Sequence, residues 1–208
     1  MNVKALISAK ESALLVSDAL GRAMSYTDYL QLFEEHVNNN TSTYPLESES
    51  MANYTRLNWS RSKRVAKTLS IPEEIKAIFS NYKQDHSWLV ITESWCGDAA
   101  QSVPVMQGLL ELAGEVPLKV VLRDEFPELM DAFLFDGTRS IPILIIYDHK
   151  TNQVVGSWGP RPDIINEQVR RVKLEEGGLT EEFKKQLQQW YNKDKGQTTM
   201  ADLAALVA

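Results

Sequence analysis

Cys96 is the one cysteine of the 208-residue chain, and it stands in the run Trp95-Cys96-Gly97-Asp98-Ala99. A single thiol can form neither an internal disulfide nor a thiolate zinc cage, so both classes fall away at once. The run follows SWLVITES (87–94), a strand candidate rich in β-branched and aromatic residues, and precedes a stretch where Val103, Met106, Leu110 and Ala113 recur at helical spacing. A sulfur at such a junction faces unpaired backbone N–H groups and the positive end of a helix dipole, which favour thiolate. Gly97 permits a sharp turn, whereas a carboxylate at Asp98 works against a second negative charge. The plainer alternative is a half-buried small apolar side chain, a common fate of free cysteine. Spacing alone leaves both open.

Other chemistry is sparse. Arg139-Ser140-Ile141-Pro142 leads into the apolar run ILIIYD (143–148). If the proline is cis, the backbone of Ile141 is offered as an edge for an extended peptide. Arg123, Arg139 and Arg161 end or follow strand candidates; gathered beside a thiol they could lower its pKa and hold a carboxylate or phosphate. Solvated ion pairs that only position loops are the favoured reading, since such networks are common. His36, His86 and His149 lack ligand spacing, so no metal site is expected. Arg61, Lys63, Arg64 and Lys67 beside Trp59 read as a solvated helix face with an apolar anchor, not a nucleic-acid surface.

The elements that must position these residues divide near His86. Residues 1–85 carry 10 basic and 10 acidic side chains, and residues 86–208 carry 12 and 18, accounting for the net charge of -6. The acidic balance argues against nucleic acid or an anionic membrane as partner. The first part reads helical. Ser25-Tyr-Thr-Asp28 has capping-box spacing ahead of YLQLFEEHV, residues 38–50 form a polar loop, 51–69 a second helix, and Pro72 opens a third. The second part alternates strand and helix in the order β-α-β-α-β-β-α, an α/β mixed sheet with helices on both faces. A helix is expected over 162–176 and another from Thr180 to about 193. The tail GQTTMADLAALVA reads as a docking helix or a frayed end. The segments are thus 1–85, a helical N-terminal extension expected to pack on the core; 86–176, the α/β domain; and 177–208, a C-terminal helix and tail. Lys10 and Glu11 interrupt the N-terminal apolar stretch, so it makes no convincing secretory signal, and no run approaches the ~20 apolar residues of a membrane helix. A cytoplasmic location is expected, where a lone thiol stays reduced.

Four motifs in order strengthen this picture. Trp95-Cys96-Gly97-Asp98, with Pro104 five residues after Ala99, resembles the thioredoxin active-site helix. Ser140-Ile141-Pro142 resembles the cis-proline element of that superfamily, and Gly156 matches a glycine of its last strand. TESWCGDAAQSVP, LRDEFPELMD, GTRSIP and GSWGPRP resemble a bacterial thioredoxin-like family with a helical N-terminal extension, over roughly residues 25–176. The resemblance implies a thioredoxin-like fold with added N-terminal and C-terminal helices, and Cys96 as nucleophile. Trp95, Gly97, Asp98, Glu93, Ile141 and Pro142 become its active-site neighbours. Ala99 stands where the second, resolving cysteine would be, and Val90 where thioredoxin carries a buried aspartate, so dithiol exchange is not expected. Glu93 could substitute as base, or be a salt-bridged or exposed carboxylate. Two functions follow. One is monothiol exchange with a protein or small-molecule disulfide, glutathione being the co-substrate. The other is a redox-inactive binding module for a peptide or small anion. An iron–sulfur role is disfavoured because Cys-Gly-Asp-Ala differs from the monothiol glutaredoxin pattern Cys-Gly-Phe-Ser. Peroxidase chemistry is disfavoured because Glu93 replaces the expected threonine. No resident cofactor is expected, and the sequence does not specify an oligomeric state.

Overall fold

A computed structural model describes residues 7–82, 85–114 and 116–208; the first six residues of the N-terminal stretch lie outside it. Four helices come first: α1 (Ala9–Arg22), α2 (Tyr26–Asn38), α3 (Glu49–Thr68) and α4 (Glu73–Ser80). Capping boxes fix two of their starts, Ser8 with Glu11 and Ser25 with Asp28, each satisfying two orphan backbone donors. Between α1 and α2 the two residues Met24–Ser25 form a short strand, β1, too brief to show any alternation in sequence. Strand β2 (His86–Thr92) and helix α5 (Ala99–Ala113) come next, then β3 (Leu118–Leu122) and α6 (Pro127–Ala132). The hairpin of β4 (Ile143–Asp148) and β5 (Gln153–Trp158) precedes α7 (Asp163–Glu176), α8 (Glu181–Asp194) and α9 (Gln197–Val207).

The sheet order is β1-β3-β2-β4-β5. β2 runs parallel to β3 and antiparallel to β4, with Val90 opposite Val120 on one side and Leu144 on the other. This central position explains the continuous apolar reading of β2, whose residues 87–92 are all buried. α1 lies against β3–β5 and α6, while α5, surrounded by α3, α4 and α9, packs on the sheet from the other group. One large core takes side chains from Ala13 to Ala204, so all three expected segments share it.

The tail is helical and docked. Met200 and Leu203 are fully buried, the Trp158 Nε1–H donates to Asp202 Oδ2 at 3.0 Å, and Leu206 reaches over Gly156 of β5. By contrast, α7 and α8 gather a separate small cluster from Ile165, Val169, Leu187 and Tyr191. That arrangement brings α8 to the Cys96 end of α5.

Candidate functional site

The turn that carries Cys96 is clamped from several directions. β2 ends at Thr92, and residues 93–98 bend into α5, whose N-cap is Asp98. Helix α3 presents a buried polar face, Thr55, Asn58 and Ser62, at helical spacing. Thr55 Oγ1 lies 2.9 Å from Ser94 Oγ, and the Asn58 side chain donates to the Ser94 carbonyl at 3.3 Å. These supports went unread in the sequence. The signal was there: small polar residues at 55, 58 and 62 in a helix with little apolar stripe.

Cys96 is 7% exposed. Its thiol donates to the Ile141 carbonyl at 3.3 Å, and the Ala99 N–H reaches Sγ at 3.4 Å. The peptide bond after Ile141 is cis. Burial, reinforced by the Asp98 carboxylate, pushes the thiol up to about 12, against the smaller opposing pull of the Ala99 N–H and Arg161. The helix-start location therefore does supply the expected N–H group. Desolvation outweighs it because a thiolate here would lose nearly all its water.

Asp98 is buried and doubly bound. Arg161 Nη2 lies 2.7 Å from Oδ2, both side chains being about 90% covered, and the Tyr191 hydroxyl donates to Oδ1 at 3.0 Å. Burial opposes the charge of Arg161, but Asp98 more than offsets it and holds the guanidinium pKa above its usual value. Tyr191 arrives from α8, 93 residues further along the chain. A second polar contact, Gln101 Nε2 to Gln188 Oε1 at 3.0 Å, also ties α8 to α5.

The three arginines part company. Arg161 joins the Cys96 site through Asp98. Arg123 forms a two-pronged pair with its neighbour Asp124, at 2.7 and 3.0 Å, while its guanidinium stacks 4.7 Å from the Trp95 ring centre. Arg139 points its fork at Asp131, at 2.7 and 2.6 Å, on an exposed surface. Arg139 is thus held by an ion pair with Asp131 of α6, eight residues back along the chain. Trp95 also meets Tyr44 edge-on at 6.0 Å.

Glu93 is buried, with neither oxygen on the thiol. Oε2 accepts a short hydrogen bond from Thr43 Oγ1 and Oε1 accepts from the Asp124 N–H at 3.1 Å, so the side chain ties the 39–48 loop to the end of β3. Burial raises its pKa to about 7, with the two hydrogen bonds pulling the other way. Unfolding returns this group to about 4.5. Between those two values the folded chain keeps a proton that the unfolded chain releases, so stability falls as pH rises through that window. Glu93→Gln is expected to flatten this slope and to gain up to about 3 kcal/mol over the parent above pH 7. Urea midpoints at pH 5 and pH 8 measure it; a steeper loss in the variant would contradict the assignment.

A cleft of about 580 Å³ opens beside Trp95, Gly97, Asp98 and Arg161, walled by α3 and α8. Among the described residues no group of three His, Cys, Asp or Glu side chains could hold a metal ion. His36 and His86 bond close by in the chain, to Thr41 and Tyr82, and His149 bonds Ser87, 62 residues back. No described helix is long and apolar enough to cross a membrane.

A sequence profile described as thioredoxin (Thioredoxin_9) matches residues 45–175, well over half the chain. The chain belongs to this thioredoxin family. Its mixed sheet with flanking helices is a thioredoxin-like α/β fold. A Pseudomonas aeruginosa protein of unknown function, PA1234, shares the fold at 12% identity and a TM-score of 0.61, over 92% of this chain and 95% of the other. An HIV epitope-scaffold matches at 13% identity and a TM-score of 0.50, over 88% and 98% of the two chains. No curated protein sequence matches. Within the thioredoxin fold, the Cys96 turn, the Ile141–Pro142 turn and the Gly159–Arg161 loop meet at one end of the sheet, and here α8 covers that end.

Proposed function

We propose that this thioredoxin-fold protein is a binding module whose Cys96 thiol is held out of redox exchange, recognition falling to the cleft beside Trp95 and Gly97. The observation that carries this reading is the state of Cys96: covered, donating to the Ile141 carbonyl, with its pKa pushed up to about 12. Such a thiol stays protonated at neutral pH, and thiolate is the attacking species. Ala99 offers no resolving sulfur, and Val90 offers no proton acceptor on β2. Both oxygens of Glu93 are engaged elsewhere.

A second reading, monothiol exchange, is favoured by the Ala99 N–H at Sγ and by the pull of Arg161 on the thiol. It requires Cys96 to be uncovered. Its thiolate would then attack a disulfide, releasing one thiolate and leaving a mixed disulfide that glutathione resolves. A cytoplasmic setting accords with either reading.

Alkylation by iodoacetamide between pH 6 and 10 separates the two. Under the binding-module reading the rate at pH 8 stays at least about a hundredfold below that of free cysteine, with no midpoint below pH 10. Cys96→Ser then leaves the fold unchanged. A midpoint below pH 8, together with glutathione-dependent exchange, would overturn the reading in favour of the monothiol enzyme.

A further inference from the structure

We infer that the cleft between α3 and α8 binds a small amphipathic carboxylate, its apolar body against Met51, Tyr54, Trp95 and Leu187 and its carboxylate on Arg61 and Gln188. This rests on the binding-module reading and gives it a ligand class. The cleft volume of about 580 Å³ suits a small molecule rather than a protein surface.

The charges lining the cleft do not cancel. Two of its four cations are answered on the spot, Arg161 by Asp98 at 2.7 Å and Lys184 by Glu181 at 2.6 Å. Arg61 and Lys185 have no carboxylate partner among the described residues, although the chain as a whole is acidic, with a net charge of -6. Lys185 is exposed, where an unpaired lysine is ordinary. Arg61 is half-buried, and burial, with Arg64 nearby, draws its pKa down against the smaller pull of Tyr54 and Asp98. A partly desolvated cation with no carboxylate in direct contact, its nearest negative charge at Asp98 already shared by Arg161 and Tyr191, is the group an incoming anion would stabilise most.

The donors also converge. Arg61 Nη1 and Gln188 Nε2 lie 3.5 and 3.3 Å from the point that a Cβ on residue 97 would occupy, and Gly97 places no side chain between them. Nη1 bonds Asn58 Oδ1 at 2.8 Å, which orients the guanidinium. The Gln188 carbonyl oxygen accepts from Gln101, which fixes the amide so that its NH₂ is the end turned toward Gly97. An inorganic phosphate would leave the Met51, Tyr54, Trp95 and Leu187 wall unused. A neutral alcohol would leave Arg61 without its counter-ion.

Calorimetric titration of the full chain at pH 7.5 with octanoate, octan-1-ol and inorganic phosphate tests this. Octanoate is expected to bind saturably at one site, at least about tenfold tighter than octan-1-ol, as one charge-assisted hydrogen bond implies. Phosphate is expected not to bind. Arg61→Gln should weaken octanoate about tenfold and leave octan-1-ol unchanged, and Gly97→Ala should weaken octanoate by pressing a Cβ against the Gln188 and Arg61 donors. Lys185→Gln, on an exposed position that leaves the fold intact, should weaken octanoate by a smaller factor. Equal binding of octanoate and octan-1-ol, binding of phosphate in place of octanoate, indifference to all three substitutions, or no saturable binding would each overturn the inference. Unreactive Cys96 with no octanoate binding overturns the ligand class alone, whereas rapid alkylation of Cys96 overturns the function on which it rests.

Discussion

Asp98→Ala is expected to destabilise the protein by about 3–5 kcal/mol, because it strands a buried cation rather than removing a pair. Arg161 is about 90% covered and has Asp98 as its 2.7 Å partner, and the Tyr191 hydroxyl donates to the same carboxylate. Two buried polar groups thus lose their acceptor in one substitution. In a domain of this size the loss corresponds to a fall in Tm of roughly 10 °C. The double variant Asp98→Ala/Arg161→Met should recover much of it, since an apolar pair leaves no orphan charge. A second readout follows from the same contact. Asp98 raises the Cys96 pKa and its bond to Tyr191 pins α8, so the variant should alkylate faster at pH 8. A change in stability below about 1 kcal/mol would mean that water replaces the carboxylate and that the cluster holds nothing together.

Gly159→Ala is expected to be as severe, through backbone sterics alone. Gly159 has φ +134, a region that L residues rarely adopt, and an added Cβ would stand 2.2 Å from the Pro142 carbonyl oxygen and 3.2 Å from Ile143 Cα. Both obstacles are main chain at the start of β4, so neither can swing aside as a side-chain tip would. Strain at the dihedral and overpacking each contribute about 1–3 kcal/mol, giving a loss of about 2–6 kcal/mol. The displaced Pro142 turn also carries the Ile141 carbonyl that accepts the Cys96 thiol, so damage to the fold and exposure of the thiol should appear together. Urea unfolding combined with alkylation kinetics checks both. Wild-type stability in this variant would show that the loop can move away from β4.

The residues legible in advance were those whose evidence is local. The Ser25–Asp28 cap, the apolar run of β2, the β4–β5 hairpin and the start of α6 at Pro127 each depend on partners within a few positions or on a periodicity of 2 or 3.6. The Ser8–Glu11 box carries the same local signal, while β1 is two residues long and has no pattern to read. The segments divided at 85 and 176 follow texture along the chain, and α1 and α9 bury their apolar faces in the core they share with the sheet.

By itself, then, the sequence determined that one thiol sits at a strand–helix junction without a resolving partner, within an α/β chain of thioredoxin type. Only the tertiary structure decided what that thiol is. Its protonation depends on burial and on the Asp98 carboxylate, and its hydrogen bond reaches Ile141, 45 residues away. The pairing of Arg161 with Asp98 was also decided there. The physical reason is common to both. Element type and the Arg123–Asp124 and Arg139–Asp131 pairs are encoded by neighbours in the chain, whereas the thiol's pKa and the Arg161–Asp98–Tyr191 cluster depend on burial and on contacts spanning 45 to 93 residues, which no spacing records.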